Sequence, residues 1–152
     1  MVKSHIRDYA TAAFRFYAMA GPVDRYKQLL WDEAIERYQR EEEDARRTGI
    51  SKPTESALQR AQNALDRAAA DIQDLEAVEG TIGAIEQMPG GDNMVQALRM
   101  IYMLESSKEL ERGEISERVH RAEIQIPASE KSIYRWLATG RRLFAELRGL
   151  RM

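Results

Sequence analysis

The feature that most constrains the fold is a run of apolar residues spaced alternately three and four apart, as in the a and d positions of a heptad. This spacing predicts a long α-helix, here from Thr54 to Met88 and on the order of 50 Å long, with a bend or break at Gly80 and Gly83. The residues that form the seam are Leu58, Ala61, Leu65, Ala68, Ile72 and Leu75.

The segment before the seam predicts a second long helix, since apolar residues recur at helical spacing over residues 23–45 and Gly49 can form its left-handed cap. A short connection joins the two helices, so we expect an antiparallel hairpin. The seam could close on residues 23–45 of the same chain or pair with a second chain. Its alanines allow close approach in either case, and we expect a homodimer.

The segment Ser4 to Ala20 predicts the first helix, and Gly21-Pro22 ends it. Phe14 lies on a different face from the main apolar positions of this helix. Those positions are Ile6, Tyr9, Ala13, Phe16 and Tyr17. No stretch of the chain has the pattern of a strand, so the fold class is all-α.

Pro89-Gly90-Gly91 predicts a domain boundary, with a coiled-coil-like helical hairpin or dimerisation region over 1–88 and a small helix-turn-helix domain over 92–152. In the second part the pattern is helix, short helix, turn, helix. Ser129 is expected to cap the last helix, in which Gly140 costs roughly 1 kcal/mol. Its predicted inward face is Ile133, Leu137, Phe144 and Leu147.

Charge is distributed unevenly along the chain. The formal net charge is -2, but residues 127–152 carry +4 and the preceding residues carry -6. No Lys or Arg occurs between Arg67 and Arg99, where there are six acidic residues. An acidic middle with a basic end suggests that the end meets a polyanion, although simple scatter of surface charges is the alternative.

A short helix, a turn and a helix that begins with polar residues form the outline of a helix-turn-helix. The recognition helix would span about residues 129–148. Lys and Arg side chains reach guanine acceptors, and Ser hydroxyls bond to several bases. The predicted base-contacting residues are Lys131, Ser132, Tyr134 and Arg135, and the predicted phosphate-contacting residues are Arg121, Arg141, Arg142 and Arg148.

The stretch SEKSIYRWL, residues 129–137, resembles the recognition helix of sigma-factor region-4-like domains. GRRLFAEL, residues 140–147, is similar to the end of ArpU/RinA-like phage transcriptional regulators, and ALRMIYM, residues 97–103, looks like the helix that opens their DNA-binding domain. The resemblance implies a helical hairpin before a sigma-like domain, binding to double-stranded DNA, and possible contact with RNA polymerase.

The predicted function is therefore sequence-specific DNA binding by a transcriptional regulator of phage or prophage type. The alternative is a helical protein–protein interaction, scaffold or packaging factor that does not bind DNA. We expect no enzyme activity, catalytic residue or cofactor. We also expect no metal, because His5 and His120 lack a second ligand at metal spacing. The lack of cysteine and of long apolar runs predicts a cytoplasmic protein without membrane contact.

Overall fold

The computed structural model of the protein describes residues 4–49 and 55–151. All regular structure in these residues is α-helical, which confirms the predicted all-α fold. The helices are α1 Ser4–Ala20, α2 Val23–Thr48, α3 Ala57–Arg67, α4 Ala69–Glu86, α5 Gly91–Tyr102, α6 Glu114–Gln125 and α7 Glu130–Arg148. None of the helices in these two ranges is both long and apolar enough to cross a bilayer.

Local capping signals explain where several helices begin and end. Gly49 adopts a left-handed conformation (φ 75°), and its N–H donates to the carbonyl of Ala45 at the end of α2, as predicted. The Ser56 hydroxyl accepts a hydrogen bond from the N–H of Gln59 (3.1 Å) at the start of α3. Each cap satisfies a backbone group that has no partner inside the helix.

The prediction of one continuous helix from Thr54 to Met88 is wrong. Thr54 lies outside the described residues, and α3 is separated from α4 at Ala68 (φ −94°, ψ 13°). Gly80 and Gly83, where we expected the bend, lie inside α4. A glycine costs only about 1 kcal/mol in a helix, so it does not break a helix whose neighbouring residues, such as Val78 and Ile82, are buried.

Residues 22–73 form one compact unit of the chain. Within it α2 packs against α3. The Arg60 guanidinium lies 2.5 Å from a Glu41 carboxylate oxygen, and the Tyr26 hydroxyl donates to Asp71 at 3.2 Å. These pairs run in opposite directions along the sequence, so the two segments are antiparallel.

The heptad seam is only partly buried. Ala61 and Ile72 are buried, whereas 66% of Leu58 is exposed. The packing of α2 on α3 shows that part of the seam is closed within a single chain.

The other compact unit comprises 4–21 and 74–151 of the described residues. The boundaries of the two units differ from those of the predicted parts 1–88 and 92–152, because α1 packs against α5 and α7. The Phe14 ring stacks on that of Tyr102 with centroids 5.6 Å apart, and lies 6.0 Å from that of Phe144. Phe14 is fully buried whereas Tyr9 is 38% exposed, so the buried face of α1 is shifted from the predicted stripe towards Phe14.

The order of α5, α6 and α7 matches the predicted helix, short helix, turn and helix. Residues 126–129 separate α6 from α7, and both helices pack against α5 as well as against each other. Val119 and Ala122 of α6, together with Ile126 in the turn, are buried in the same core. This arrangement determines which side of α7 remains exposed.

Candidate nucleic-acid interface

Ser129 caps α7 as predicted. Its side chain accepts a hydrogen bond from the N–H of Ser132 at 3.2 Å. Ile133, Leu137 and Phe144 are buried, which confirms three positions of the predicted inward face. Leu147 is 55% exposed, so the fourth position is wrong.

Gly140 is buried where α7 approaches α5. A Cβ added at this position would lie 2.9 Å from one terminal methyl of Leu98 and 3.2 Å from the other. Leu98 is itself fully buried. The glycine therefore allows close approach of the two helices, and its effect is not limited to the helix-propensity cost considered from the sequence.

The four predicted base-contacting residues lie together on the first turns of α7. Lys131 and Arg135 are exposed, and Tyr134 is 38% exposed. Arg135 donates to the Ser132 hydroxyl at 3.4 Å, and the Ser129 hydroxyl lies 3.1 Å from that of Ser132. No carboxylate in residues 4–49 or 55–151 forms an ion pair with Lys131 or Arg135.

Two of the predicted phosphate-contacting arginines are exposed beside a carboxylate. Arg121 lies 3.7 Å from Glu117, with 67% of its side chain exposed. Arg142 lies 4.0 Å from Glu146, with 56% of its side chain exposed. Exposed pairs at such distances contribute roughly 0–1 kcal/mol, so either arginine can exchange its partner for a phosphate at low cost.

The other two arginines are engaged within the fold. Arg148 donates through Nε to Asp74 at 2.7 Å, and only 20% and 16% of these side chains are exposed. This hydrogen bond to the Asp74 carboxylate raises the pKa of Arg148. Arg141 donates to the hydroxyl of Tyr102 at 2.7 Å and is half-buried.

The carboxylate of Asp74 also accepts a hydrogen bond from the Tyr9 hydroxyl at 2.6 Å. Burial raises the pKa of Tyr9, and the neighbouring Asp74 raises it further. Arg148 thus completes a network of three side chains drawn from α1, α4 and α7. Its charge is already compensated, which leaves it poorly placed to neutralise a phosphate.

A buried arginine holds the connection between α5 and α6. Arg15 donates to the carbonyl oxygens of Tyr102 (3.1 Å), Leu104 (3.4 Å), Glu105 (3.0 Å) and Lys108. These carbonyls lie at or after the end of α5, where the helix no longer supplies an N–H to each of them, although the carbonyl of Glu105 also accepts from the N–H of Lys108 at 3.1 Å. The sequence analysis did not predict this role of Arg15. The one signal for it in the sequence was an arginine among the buried positions of α1.

Arg118 supports the same connection from α6. It donates to the carbonyls of Ile101 and Leu104, each at 2.9 Å, and lies 2.5 Å from Glu114. The N–H of Glu111 donates to Glu114 and lowers the pKa of its carboxyl, with a further contribution from Arg118.

The turn between α6 and α7 also brings three potential metal ligands together. Ligand atoms of His120, Glu123 and Glu130 all lie within 4.8 Å of one another. The prediction that His120 lacks a second ligand is therefore wrong, because the turn places Glu130 near the end of α6. His120 and Glu130 are exposed, and exposed groups of this kind are common without an ion, so we assign none.

No family model matches the chain, and neither the curated proteins nor the solved structures contain a significant match to it. The resemblance to ArpU/RinA-like regulators stays a prediction.

Proposed function

We propose that the protein is a sequence-specific DNA-binding transcriptional regulator of the phage type, with α7 entering the major groove of double-stranded DNA. The observation that carries the proposal is the pair Lys131 and Arg135. They lie four residues apart, and therefore on one face of the helix, and both are exposed without a carboxylate partner among the described residues. The opposite face of α7 is anchored in the core.

Each exposed residue has a chemical role in this proposal. Lys131 and Arg135 donate to the guanine acceptors O6 and N7, while Ser132 and Tyr134 offer hydroxyl groups to base edges. Arg121 on α6 and Arg142 on α7 neutralise phosphates on either side. We leave Arg148 out of the DNA contacts because its charge is paired with Asp74, and Arg141 because it is half-buried and directed at the Tyr102 hydroxyl.

We further propose that the protein acts as a homodimer and that it contacts RNA polymerase. A second copy would double the number of DNA contacts made by one recognition helix. Leu29 and Leu58, both in the 22–73 unit, are 47% and 66% exposed and offer apolar surface for such pairing. Light scattering coupled to size-exclusion chromatography would give twice the chain mass of 17.4 kDa, whereas a monomer would contradict this part of the proposal.

Two paired variants test the DNA contacts. We expect Lys131→Ala with Arg135→Ala to abolish the preference for a specific site, since each lost base contact removes roughly 1–3 kcal/mol of discrimination. Arg121→Ala with Arg142→Ala should weaken binding to all sequences and reduce the salt slope by about 2. Arg148→Met serves as a matched control and should leave the salt slope unchanged.

The alternative function, protein–protein interaction without DNA, is favoured by one observation. Glu117 and Glu146 lie beside Arg121 and Arg142 and interrupt the positive surface. The same titrations separate the two functions. If the wild-type chain shows no binding to duplex DNA at low salt, the DNA proposal fails and the interaction function takes its place.

A further inference from the structure

A groove of about 750 Å³ lies between α1, the α5–α6 connection and α7, entirely within the 4–21 and 74–151 unit. Its volume falls in the range of small-molecule sites, roughly 300–1,000 Å³. Six apolar residues line it: Ala12, Phe16 and Met19 from α1, Leu110 and Ile115 from the connection and α6, and Leu137 from α7.

The apolar wall combines side chains that remain partly exposed with one side chain of the core. Met19 is 61% exposed, while Leu137 is buried and forms part of the groove's inner wall. An apolar surface that remains exposed beside the core gains free energy when a ligand covers it, at about 25 cal/mol per Å². The shape and lining of this groove therefore fit an elongated apolar group.

Positive charge lies at one side of the same groove. Arg141 lines it, and its Nε is buried without a hydrogen-bond partner, although NH1 donates to Tyr102. No carboxylate in residues 4–49 or 55–151 forms an ion pair with Arg141 or Arg15. Arg15 also lines the groove and donates its hydrogen bonds to neutral backbone carbonyls.

The charges at the rim do not cancel these two guanidinium groups. Arg7 and Lys108 line the groove together with Asp8 and Glu109, so the charges of these four residues sum to zero. Burial lowers the pKa of Arg15, and the neighbouring Arg118 lowers it further. The groove lining as a whole contains four basic residues and two acidic ones, which leaves it with a formal charge of +2.

We propose that this groove binds a small amphipathic carboxylate, with its apolar chain along α1 and Leu137 and its carboxylate at Arg141. A guanidinium group matches a carboxylate in geometry and charge and can form two parallel hydrogen bonds with it. Binding to this groove goes beyond the proposed DNA contacts and is measured without DNA, so failure of one does not imply failure of the other.

The test is isothermal titration calorimetry of the full chain with octanoate and with octan-1-ol, which shares the apolar chain but lacks the charge. We expect saturable binding of octanoate and at least tenfold weaker binding of octan-1-ol. Arg141→Met should raise the Kd for octanoate at least tenfold. Arg142→Met is the matched control, since this neighbouring arginine does not line the groove, and it should keep the wild-type Kd.

A second variant tests the location without depending on the charge. Ala12 is exposed and lines the groove, so Ala12→Trp fills the space and should abolish binding of both ligands, with folding checked by circular dichroism. Absence of saturable octanoate binding overturns the proposal. So does equal binding of the alcohol, an Arg141→Met Kd equal to that of Arg142→Met, or unchanged binding by Ala12→Trp.

Discussion

Replacing Arg15 with Met tests whether this side chain holds the α5–α6 connection. The substitution keeps an unbranched apolar stem but removes every donor to the carbonyls of Tyr102, Leu104, Glu105 and Lys108. Arg15 is 9% exposed. We expect a marked loss of stability together with local loosening of residues 103–113.

The magnitude follows from the burial of each bond. The bond to Tyr102 is buried, and a hydrogen bond to a charged group contributes about 1.5–3 kcal/mol. The other bonds are partly buried, and water can replace part of their contribution. A total of about 3 kcal/mol is consistent with these terms and with the range for breaking a buried charged interaction.

Urea unfolding followed by circular dichroism measures this loss. At about 1–3 kcal/mol per M of urea, a loss of about 3 kcal/mol should lower the midpoint by roughly 1–3 M. The melting temperature should fall by about 6–12 °C, from the 2–4 °C per kcal/mol typical of a chain of this size. Arg15→Lys should lose less, because it keeps the charge but not the planar set of donors.

Arg7→Met is the matched control on the same helix. Arg7 has 56% of its side chain exposed and lies 3.8 Å from Asp8, so its loss should change stability by no more than about 0.5 kcal/mol. Equal effects of Arg7→Met and Arg15→Met would refute the reasoning, as would unchanged hydrogen exchange of residues 103–113 in Arg15→Met.

Three further predictions use the same unfolding assay. A Cβ added at Gly83 meets open space, so Gly83→Ala should stabilise the protein by roughly 0.5–1 kcal/mol. Gly140→Ala should destabilise it by about 1 kcal/mol, because overpacking against Leu98 exceeds the gain in helix propensity. Equal stabilisation by both variants would contradict the close approach of α7 to α5 at Gly140. The folded-state pKa of Glu114 is lowered, so its contribution is present above the unfolded pKa and is lost as the pH falls through the folded value. Glu114→Gln should therefore lose less stability than the wild type on acidification, and parallel pH profiles would contradict this. Arg148→Met breaks a largely buried ion pair and should lower the free energy of unfolding by about 2 kcal/mol without changing the DNA affinity of the folded protein. A loss of affinity as large as that of Lys131→Ala would contradict the exclusion of Arg148 from the DNA contacts.

Local signals in the sequence predicted the features that local physics determines. The all-α class, the cap at Ser129 and the left-handed Gly49 depend on residues within a few positions of one another. The buried face of α1 was predicted less well, because Phe14 packs against the rings of Tyr102 and Phe144, which are distant from it in the sequence. Periodicity defines a stripe, but the tertiary partner decides its centre.

The long-range partners of the arginines could not be predicted from the sequence. Arg142 and Arg148 both lie in the second half of α7, yet Arg148 is paired with Asp74 in the fold and Arg142 is exposed. Arg15 lies between two aromatic residues in the sequence and donates to carbonyls about 90 positions away. The long-range partner determines whether such a side chain stabilises the fold or is available to a ligand.

Leu147 shows a similar limit at the end of α7. Its periodic position predicts burial, but 55% of it is exposed. A Cβ at Gly80 would lie 3.0 Å from one of its terminal methyls, so one side of Leu147 packs on α4 while the other faces solvent. Periodicity does not distinguish such partial cover from full burial.

The most direct test of DNA recognition by α7 is a selection of duplexes bound by the full chain from a random-sequence pool, repeated with the Lys131→Ala, Arg135→Ala double variant. We predict that the wild type enriches one motif, and that the double variant retains duplex binding but enriches none. Failure of the wild type to enrich any motif, or enrichment of the same motif by the double variant, would contradict the account.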